Sequence, residues 1–253
     1  MVLSMDRWVG KVAVVTGASA GIGAAIVKQL AEAGLLVVGM ARRKERVEEM
    51  AKSLGEIKGK IYAYKCDITN QTELQDAFKW ITKNVGPVAV LVNNAGVHFR
   101  TSLVNGDIDA IRKTVDTNVL ALCIATREAI NIMKENNIDG HIFNINSVLG
   151  HSIFPFPNLD IYPATKYGVT AITETLRREL MELKSKIRVT SVSPGAVDTE
   201  IFDNMRDSQY FNEVLSKTIL NPEDIADGVL YALSTPPHVQ VHELTIKPVG
   251  EQF

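Results

Sequence analysis

The segment "DIYPATKYGVTA", residues 160–171, contains two tyrosines and one lysine: Tyr162, Lys166 and Tyr167. A phenol can give a proton to a substrate oxygen, and a nearby ammonium group stabilises the phenolate that remains. Residues four apart on a helix share a face, whereas Tyr167 would point about 100° away from Lys166. The spacing therefore favours Tyr162 as the proton donor and Tyr167 as a packing or subunit-contact residue. The Tyr-x-x-x-Lys motif is weak by itself, so other residues have to support it.

Two further polar side chains extend this chemistry. Ser147 ends the apolar segment "FNINS", and its hydroxyl can hydrogen-bond a substrate oxygen as negative charge develops there. Asn118 lies within "TVDTNVLALCIA", and is either a satisfied core amide or the seat of a water that returns protons to the site. Lowering the tyrosine pKa from about 10 to about 7 needs roughly 4 kcal/mol of charge stabilisation. We expect the Lys166 ammonium to favour the phenolate in this way.

The elements that must position these residues follow from the apolar segments of the chain. Seven short segments read as strands: 11–17, 35–41, 60–66, 88–96, 140–147, 187–195 and 242–248. The first six are typical of strands buried on both faces. Amphipathic segments between them read as helices: 22–33, 44–53, 71–84, 107–136, 162–184 and 222–234. This alternation predicts one Rossmann-type α/β domain, residues 1–253, with a doubly wound parallel seven-stranded sheet and helices on both faces.

Composition narrows the function classes. The net charge is −2 without a long basic run, so a nucleic-acid or membrane-surface partner is not indicated. Glycines interrupt the charge-free stretch 12–27, which argues against a membrane span, and "MVLSMDRWVG" lacks the apolar run of a signal peptide. Cys66 and Cys123 read as buried thiols of a reducing compartment, so we expect a cytoplasmic protein. No His/Cys cluster has metal-ligand spacing, and no metal is predicted.

The turn after the first strand predicts a dinucleotide site. In "TGASAGIG" the glycines Gly17, Gly21 and Gly23 let the backbone approach a pyrophosphate at the N-terminus of the next helix, with Ser19 and Ile22 in the same turn. The alternative is a glycine-rich turn without a ligand. The position between the first strand and the first helix favours the ligand.

The end of the second strand predicts the cofactor. Sites for NAD place an acid there to hold the ribose 2′-hydroxyl, but this chain reads "GMARRKER", with Ala41 in the acid's place followed by Arg42 and Arg43. A guanidinium can bind a 2′-phosphate through two hydrogen bonds. We therefore expect NADP(H) rather than NAD(H), the alternative being that both arginines only solvate the start of a helix. A positively charged nicotinamide would add to the stabilisation of a Tyr162 phenolate.

Two more strand ends point to the same groove. Asp67 and Ile68 follow the third strand, where the Asp67 carboxylate can accept from an adenine amino group. The motif "NNAG" ends the fourth strand, and its Asn94, Ala95 and Gly96 allow a ribose to lie close to the backbone. Ligands of open α/β sheets bind outside the carboxyl ends of the strands. Either turn alone could be a plain Asx-turn.

The motifs TGASAGIG, NNAG, Asn118, Ser147, Tyr162-x-x-x-Lys166 and "SPGAVDT" together resemble the short-chain dehydrogenase/reductase family over essentially the whole chain. The resemblance implies that Tyr162 is the general acid/base, Ser147 and Lys166 its helpers, and Asn118 the proton-relay residue. It also places Pro194, Gly195 and Val197 against the nicotinamide and Thr199 on its carboxamide. By the same resemblance, the helical segments 107–136 and 162–184 mediate a homodimer or homotetramer.

A finer resemblance concerns the substrate. "GMARR", the long apolar insert after Ser147 and "YPATKYGVTA" are similar to the group containing the insect-type farnesol dehydrogenases and dehydrogenase/reductase member 11. This similarity implies NADP-dependent conversion of apolar alcohols and carbonyls of isoprenoid, steroid or dicarbonyl type. A non-catalytic NADP-binding regulator is the alternative of another class. The apolar candidates for the substrate pocket are Ile153, Phe154, Phe156, Leu159, Phe202, Met205 and Phe211. His98 and His151 lie near the mouth without an assigned role.

Overall fold

The structure is a computed structural model that describes residues 3–154, 158–206 and 218–251. The strands are β1 Val12–Thr16, β2 Leu36–Ala41, β3 Lys60–Lys65, β4 Val88–Asn93, β5 His141–Ile145, β6 Arg188–Pro194 and β7 Glu243–Ile246. The helices are α1 Gly21–Glu32, α2 Lys44–Ser53, α3 Gln71–Asn84, α4 Ile108–Val115, α5 Ala121–Glu135, α6 Tyr162–Glu182 and α7 Pro222–Ser234. A π-helical turn, Asp116–Leu120, joins α4 to α5, and short 3-10 helices span Asp6–Trp8, Val148–Gly150 and Glu200–Met205.

All seven strands form one parallel sheet in the order β3-β2-β1-β4-β5-β6-β7. Helices α1, α2 and α7 cover one face through residues such as Ile26, Leu30 and Val229. Helices α3, α5 and α6 cover the other face, where Phe78, Met133 and Leu176 pack against the strands. The predicted Rossmann-type fold with a doubly wound parallel sheet is confirmed. Strands β2 and β3 lie on one side of β1, and β4 to β7 lie on the other. The crevice where such folds bind ligands forms between β1 and β4, where the strand order switches sides.

The burial of β3 and of Cys123 differs from the expectation. The strand β3 is not buried on both faces, because it is the edge strand and every one of its residues is at least partly exposed. Cys66 is buried, and burial raises the pKa of its thiol to about 12, but Cys123 is only half-buried.

The predicted helix over 107–136 is helical almost throughout, although the π turn divides it. No helix among the described residues has the length and apolarity needed to cross a membrane.

A chain of polar side chains crosses the core between β4, β5 and the helices above them. The Asn93 Nδ2 donates to Thr126 Oγ1 and to Asn144 Oδ1, both at 2.9 Å, and Asn144 Nδ2 donates to Thr173 Oγ1 at 2.9 Å. Buried amides need such partners, because an unsatisfied one costs about 1–3 kcal/mol. These bonds fix β4 and β5, whose carboxyl ends carry the site, against α5 and α6.

We expect Asn144→Ala to lower the free energy of unfolding by about 1–3 kcal/mol, since it removes the acceptor for Asn93 and the donor to Thr173. Urea denaturation at neutral pH measures the change. Asn84→Ala is the matched control, because the exposed Asn84 amide only donates to Trp80 O at the end of α3, and its effect should stay within about 0.5 kcal/mol. Equal losses in the two variants would contradict the structural role of the polar chain.

Candidate active site

A cavity of about 740 Å³ lies along the carboxyl ends of the strands and is lined by the turns that follow β1 to β6. It brings together most of the residues that the sequence predicted. Those lining it are Gly17, Ser19, Gly21, Ile22, Arg42, Arg43, Asp67, Ile68, Asn94, Ala95, Gly96, Ser147, Tyr162, Lys166, Pro194, Gly195, Val197 and Thr199. Gly23 and Asn118, also predicted, are not among the lining residues.

The turn after β1 has the shape of an anion cradle. Gly17 and Gly21 adopt positive φ values of 66° and 53°, and a Cβ on Gly17 would come within 2.8 Å of the Ala95 Cα. Helix α1 begins at Gly21 with no side-chain cap and no acidic residue in its first turn. Its first N–H groups are therefore left for a ligand, and the helix dipole favours an anion there. These features fit a pyrophosphate.

Asn94 holds this turn to the end of β4. Its Nδ2 donates to Thr16 O at 2.9 Å and Gly17 O at 3.2 Å, while the Thr16 hydroxyl accepts from the backbone N–H of Asn94 and Ala95. Gly23 does not line the cavity because it lies where α1 packs against the turn. A Cβ on Gly23 would lie 2.3 Å from Gly17 O and 2.4 Å from Asn94 Nδ2, so Gly23 provides the room for α1 to pack against the turn.

The two arginines after β2 differ in their surroundings. The Arg43 guanidinium donates to Glu200 Oε2 at 2.6 Å and lies 3.5 Å from Ser19 Oγ. Arg42 is exposed, and among the described residues no side chain or carbonyl bonds to its guanidinium. Arg42 is thus the cation at this end of the cavity that is open to an anionic ligand.

The Asp67 carboxylate is partly engaged by its own turn. Its Oδ1 accepts from the Thr69 backbone N–H at 3.0 Å and from Thr69 Oγ1 at 2.7 Å. The predicted contact from Asp67 to an adenine amino group would therefore use Oδ2, which has no hydrogen bond within the described part of the chain. Ile68, next to it, is buried and supplies an apolar surface for a planar base.

At the other end of the cavity, Tyr162, Ser147 and Lys166 meet. Tyr162 opens α6 and is only 8% exposed, and its side chain is hydrogen-bonded to that of Ser147. Ser147 Oγ accepts from the Leu149 N–H at 3.1 Å as it caps the 3-10 helix Val148–Gly150, which leaves its hydroxyl hydrogen to donate. The arrangement places two hydroxyl groups side by side where a substrate oxygen can receive both.

Lys166 is buried one turn further along the same face of α6. Its Nζ donates to Ile145 O at 2.9 Å and lies 5.6 Å from the centre of the Tyr162 ring. Burial lowers the pKa of Lys166 to about 8, because the charged form loses its hydration. The Lys166 Nζ has two further hydrogens beyond the one given to Ile145 O.

The groups of the protein itself leave the pKa of Tyr162 raised rather than lowered, so the favourable charge expected from Lys166 does not outweigh burial. Burial raises the Tyr162 pKa well above its ordinary value, and the opposing influence is the hydrogen bond with Ser147. Burial removes water from the phenolate, and the cost of this desolvation exceeds the stabilisation that the single Ser147 hydroxyl provides. Tyr162 is therefore held in its protonated form, which is the state that a proton donor requires.

Asn118 lies in the π turn and is committed to backbone contacts. Its Oδ1 accepts from the Val97 N–H at 2.9 Å, and its Nδ2 donates to Val97 O at 3.1 Å and Thr165 Oγ1 at 3.2 Å. Thr165 in turn donates to Tyr162 O at 2.7 Å. The side chain thus corresponds to the satisfied amide that the sequence left open as one reading, and it joins the segment after β4 to the first turn of α6.

Three further ring side chains, Tyr167, His98 and His151, lie in different surroundings. Tyr167 is 42% exposed and does not line the cavity. No role is predicted for His98 from the sequence, yet its ring lies 4.9 Å from the Tyr162 ring and its Nε2 is 3.2 Å from Asn158 O. A carbonyl only accepts, so Nε2 carries the hydrogen, and burial lowers the His98 pKa. His151 instead pairs with Ser193 Oγ at 2.9 Å.

The segment after β6 forms another part of the cavity wall. The Gly195 N–H donates to Ile246 O at 2.8 Å and the Asp198 N–H to Leu220 O at 2.8 Å, which fixes the backbone on both sides of Val197. Thr199 packs against α1, since a Cβ on Gly21 would lie 2.9 Å from Thr199 Cγ2. These residues close the cavity between the glycine-rich turn and the reacting end.

Of the apolar pocket candidates, Phe154, Leu159 and Phe202 line the cavity beside His98 and Phe99. Ile153 does not, and its side chain is largely exposed. Phe156, Phe211 and the side chain of Met205 lie outside the described residues. The described part of the chain has no group of His, Cys, Asp or Glu residues arranged to hold a metal ion.

The chain combines a parallel sheet and a glycine-rich first turn with a serine, a tyrosine and a lysine at the same edge. This combination defines a nicotinamide-dependent oxidoreductase of the Rossmann type. The family model described as short chain dehydrogenase matches residues 11–210. The chain belongs to this family, as the sequence motifs predicted.

Two proteins and one solved structure are similar to this chain over almost its whole length. The chain is 52% identical to a farnesol dehydrogenase of Aedes aegypti over 252 residues, which cover 98% of this chain and all of that protein. It is 42% identical to the human dehydrogenase/reductase SDR family member 11 over 254 residues, covering 98% and 97% of the two chains. A solved structure of an alcohol dehydrogenase from Thermococcus sibiricus, complexed with 5-hydroxy-NADP, superposes with a TM-score of 0.84 at 27% identity over 96% of this chain and 98% of that one.

We expect Lys166→Met to raise the free energy of unfolding of the ligand-free protein at pH 7 by about 1–3 kcal/mol, because it removes a buried charge. Since the folded-state pKa of about 8 lies below the ordinary lysine value of about 10.4, the penalty is complete below pH 8. Between these values unfolding takes up a proton, so the penalty fades as the pH rises.

Urea denaturation of both proteins at pH 7 and pH 9.5 measures this effect, and the gain should shrink at the higher pH. Lys186→Met is the control, because Lys186 is exposed on the loop before β6. A variant that is less stable than the wild type at pH 7 would show that Lys166 stabilises the fold rather than straining it.

Proposed function

We propose that the protein is an NADP(H)-dependent alcohol dehydrogenase/carbonyl reductase that acts on apolar substrates of the farnesol type. The observation that carries the proposal is the buried Tyr162 side chain, hydrogen-bonded to the half-buried Ser147, which faces the same cavity as the open N-terminus of α1. When bound, NADP(H) supplies or accepts the hydride. The proton and the orientation of the substrate are then the task of the protein's own residues.

In the reducing direction the Tyr162 hydroxyl donates to the substrate carbonyl oxygen. The Ser147 hydroxyl donates to the same oxygen, which stabilises it as negative charge develops. Lys166, through the hydrogens not given to Ile145 O, would hold the nicotinamide ribose, and its charge favours the phenolate left on Tyr162. Asn118 contributes by fixing Val97 and Thr165, and through Thr165 the first turn of α6. Oxidation of an alcohol reverses these proton movements.

The residues fit NADP(H) at the adenosine end. Arg42 is free to bind a 2′-phosphate, and Ala41 leaves no carboxylate to repel it. The glycine-rich turn and the N-terminus of α1 would hold the pyrophosphate, while Asp67, Ile68 and Gly96 would hold the adenosine and the nearby ribose. The similar archaeal enzyme was solved with 5-hydroxy-NADP, which supports the same choice here.

The apolar lining supports the substrate class. Phe154, Leu159 and Phe202 offer an apolar surface beside Tyr162, as an isoprenoid alcohol requires. The similarity to a farnesol dehydrogenase points the same way. A steroid or a dicarbonyl compound is the alternative within this class, and a panel of farnesol, a hydroxysteroid and a dicarbonyl, assayed in both directions with both cofactors, ranks the three.

We expect Tyr162→Phe to lower kcat by about 10²–10⁴-fold, since it removes the proton donor while keeping the ring. Tyr167→Phe is the matched control, because this exposed tyrosine follows Lys166 directly and should keep wild-type kcat. Steady-state oxidation of farnesol, followed by the absorbance of NADPH, measures both variants. Loss of activity in both, or in neither, would contradict the assignment. Cofactor binding without turnover of any substrate in the panel would favour the non-catalytic regulator.

We expect Arg42→Asp to reduce the preference for NADP over NAD, as a ratio of kcat/KM values, by about 10–100-fold. The change removes a charge-assisted hydrogen bond to the 2′-phosphate and adds a carboxylate that repels it. Lys52→Asp makes the same change of net charge on an exposed position late in α2 and should leave the ratio within about twofold. An unchanged ratio in the Arg42 variant would show that another residue reads the phosphate.

A further inference from the structure

Glu200 connects the two sides of the cofactor groove. It begins the 3-10 helix after β6, and each of its carboxylate oxygens accepts from a different arginine. Oε2 accepts from Arg43 Nη2 at 2.6 Å, and Oε1 accepts from Arg46 Nη1. Arg43 and Arg46 belong to the turn after β2 and the first turns of α2. The bridge therefore crosses the mouth of the cavity from one strand end to the other.

The bridge engages one of the two arginines predicted to read a 2′-phosphate and leaves the other open. Arg43 also lies within 3.5 Å of Ser19 Oγ in the glycine-rich turn, so its guanidinium faces the groove while it holds Glu200. Arg42 precedes it by one residue and is bonded to no described residue. Both guanidinium groups keep the pKa of Glu200 below its usual value, so the carboxylate is charged at neutral pH.

Resting on the proposed NADP(H) dependence, we propose that Glu200 is a specificity-determining residue that competes with the cofactor's 2′-phosphate for Arg43. A phosphate that approaches Arg43 meets a guanidinium already paired with the Glu200 carboxylate, so the two anions compete for the same donor. Arg42 then binds the phosphate whether or not Glu200 is paired. Arg43 binds the phosphate only when the phosphate displaces Glu200 or when both anions contact the Arg43 guanidinium together. The carboxylate thereby moderates both the affinity for NADP(H) and its advantage over NAD(H).

The size of the effect follows from exposure. The side chains of Arg43 and Glu200 are 48% and 45% exposed, and ion pairs of this kind contribute little because water and salt screen them. We expect removal of the competitor to strengthen binding of the 2′-phosphate by about two- to tenfold. This gain is smaller than the loss expected from removing Arg42.

The test is calorimetric titration with two probes that differ only in the 2′-phosphate, adenosine 2′,5′-bisphosphate and 5′-AMP, at low salt. We expect Glu200→Gln to bind the bisphosphate two- to tenfold more tightly than the wild type and to bind 5′-AMP unchanged. Glu45→Gln is the matched control, because Glu45 is an exposed acid in the first turn of α2 with no described partner. A thermal melt confirms that each variant is folded.

Arg43 is tested by a double-mutant cycle. In an Arg43→Gln background, Glu200→Gln should no longer improve binding of the bisphosphate, because the contested group is gone. The proposal is overturned by an equal gain in Glu45→Gln, by a gain that persists without Arg43, by equal gains for both probes, or by unchanged or weaker binding in Glu200→Gln. If the wild type binds both probes equally, it is the NADP(H) preference that fails, and the competition fails with it; a wild type that prefers the bisphosphate separates the two questions.

Discussion

The side-chain amide of Asn94 joins the two halves of the sheet at the point where the chain changes direction. Its bonds to Thr16 O and Gly17 O hold the glycine-rich turn against the end of β4, and the Thr16 hydroxyl returns two bonds to the backbone after β4. These four hydrogen bonds between partly buried groups therefore set the width of the crevice. Every other part of the site is placed relative to this junction.

The reacting end of the cavity is organised by a different constraint, the removal of charged groups from water. Tyr162 and Lys166 lie next to each other with few polar neighbours, and burial shifts the pKa of both toward the neutral form. The fold tolerates these buried groups because α6 is long and packs against β6 through residues such as Leu176 and Leu180. Because burial disfavours the charged form of each side chain, a bound group that carries charge would change the pKa of both.

The sequence predicted the features that depend on local rules. Gly17, Gly21 and the alternation of strands and helices follow from backbone sterics and hydrophobic periodicity, and the sheet and the turn form as expected. The features it missed depend on distant contacts. The position of β3 at the edge follows from strand order, the raised pKa of Tyr162 from total burial, and the contacts of His98 and Glu200 from residues about 60 and 157 positions away. Motif spacing carries no information about such partners.

The π turn between α4 and α5 has a consequence for the phase of these helices. The Ala121 N–H donates to Asp116 O, five residues back, so the turn contains one residue more than an α-helical turn would. One extra residue rotates all later side chains by about 100° about the helix axis. The face that α5 presents to β4 and the direction of the Asn118 amide toward Val97 are thus set independently of α4, although the chain runs through both without a break. With this phase change, α5 packs on β4 while Asn118 bonds to the backbone of Val97.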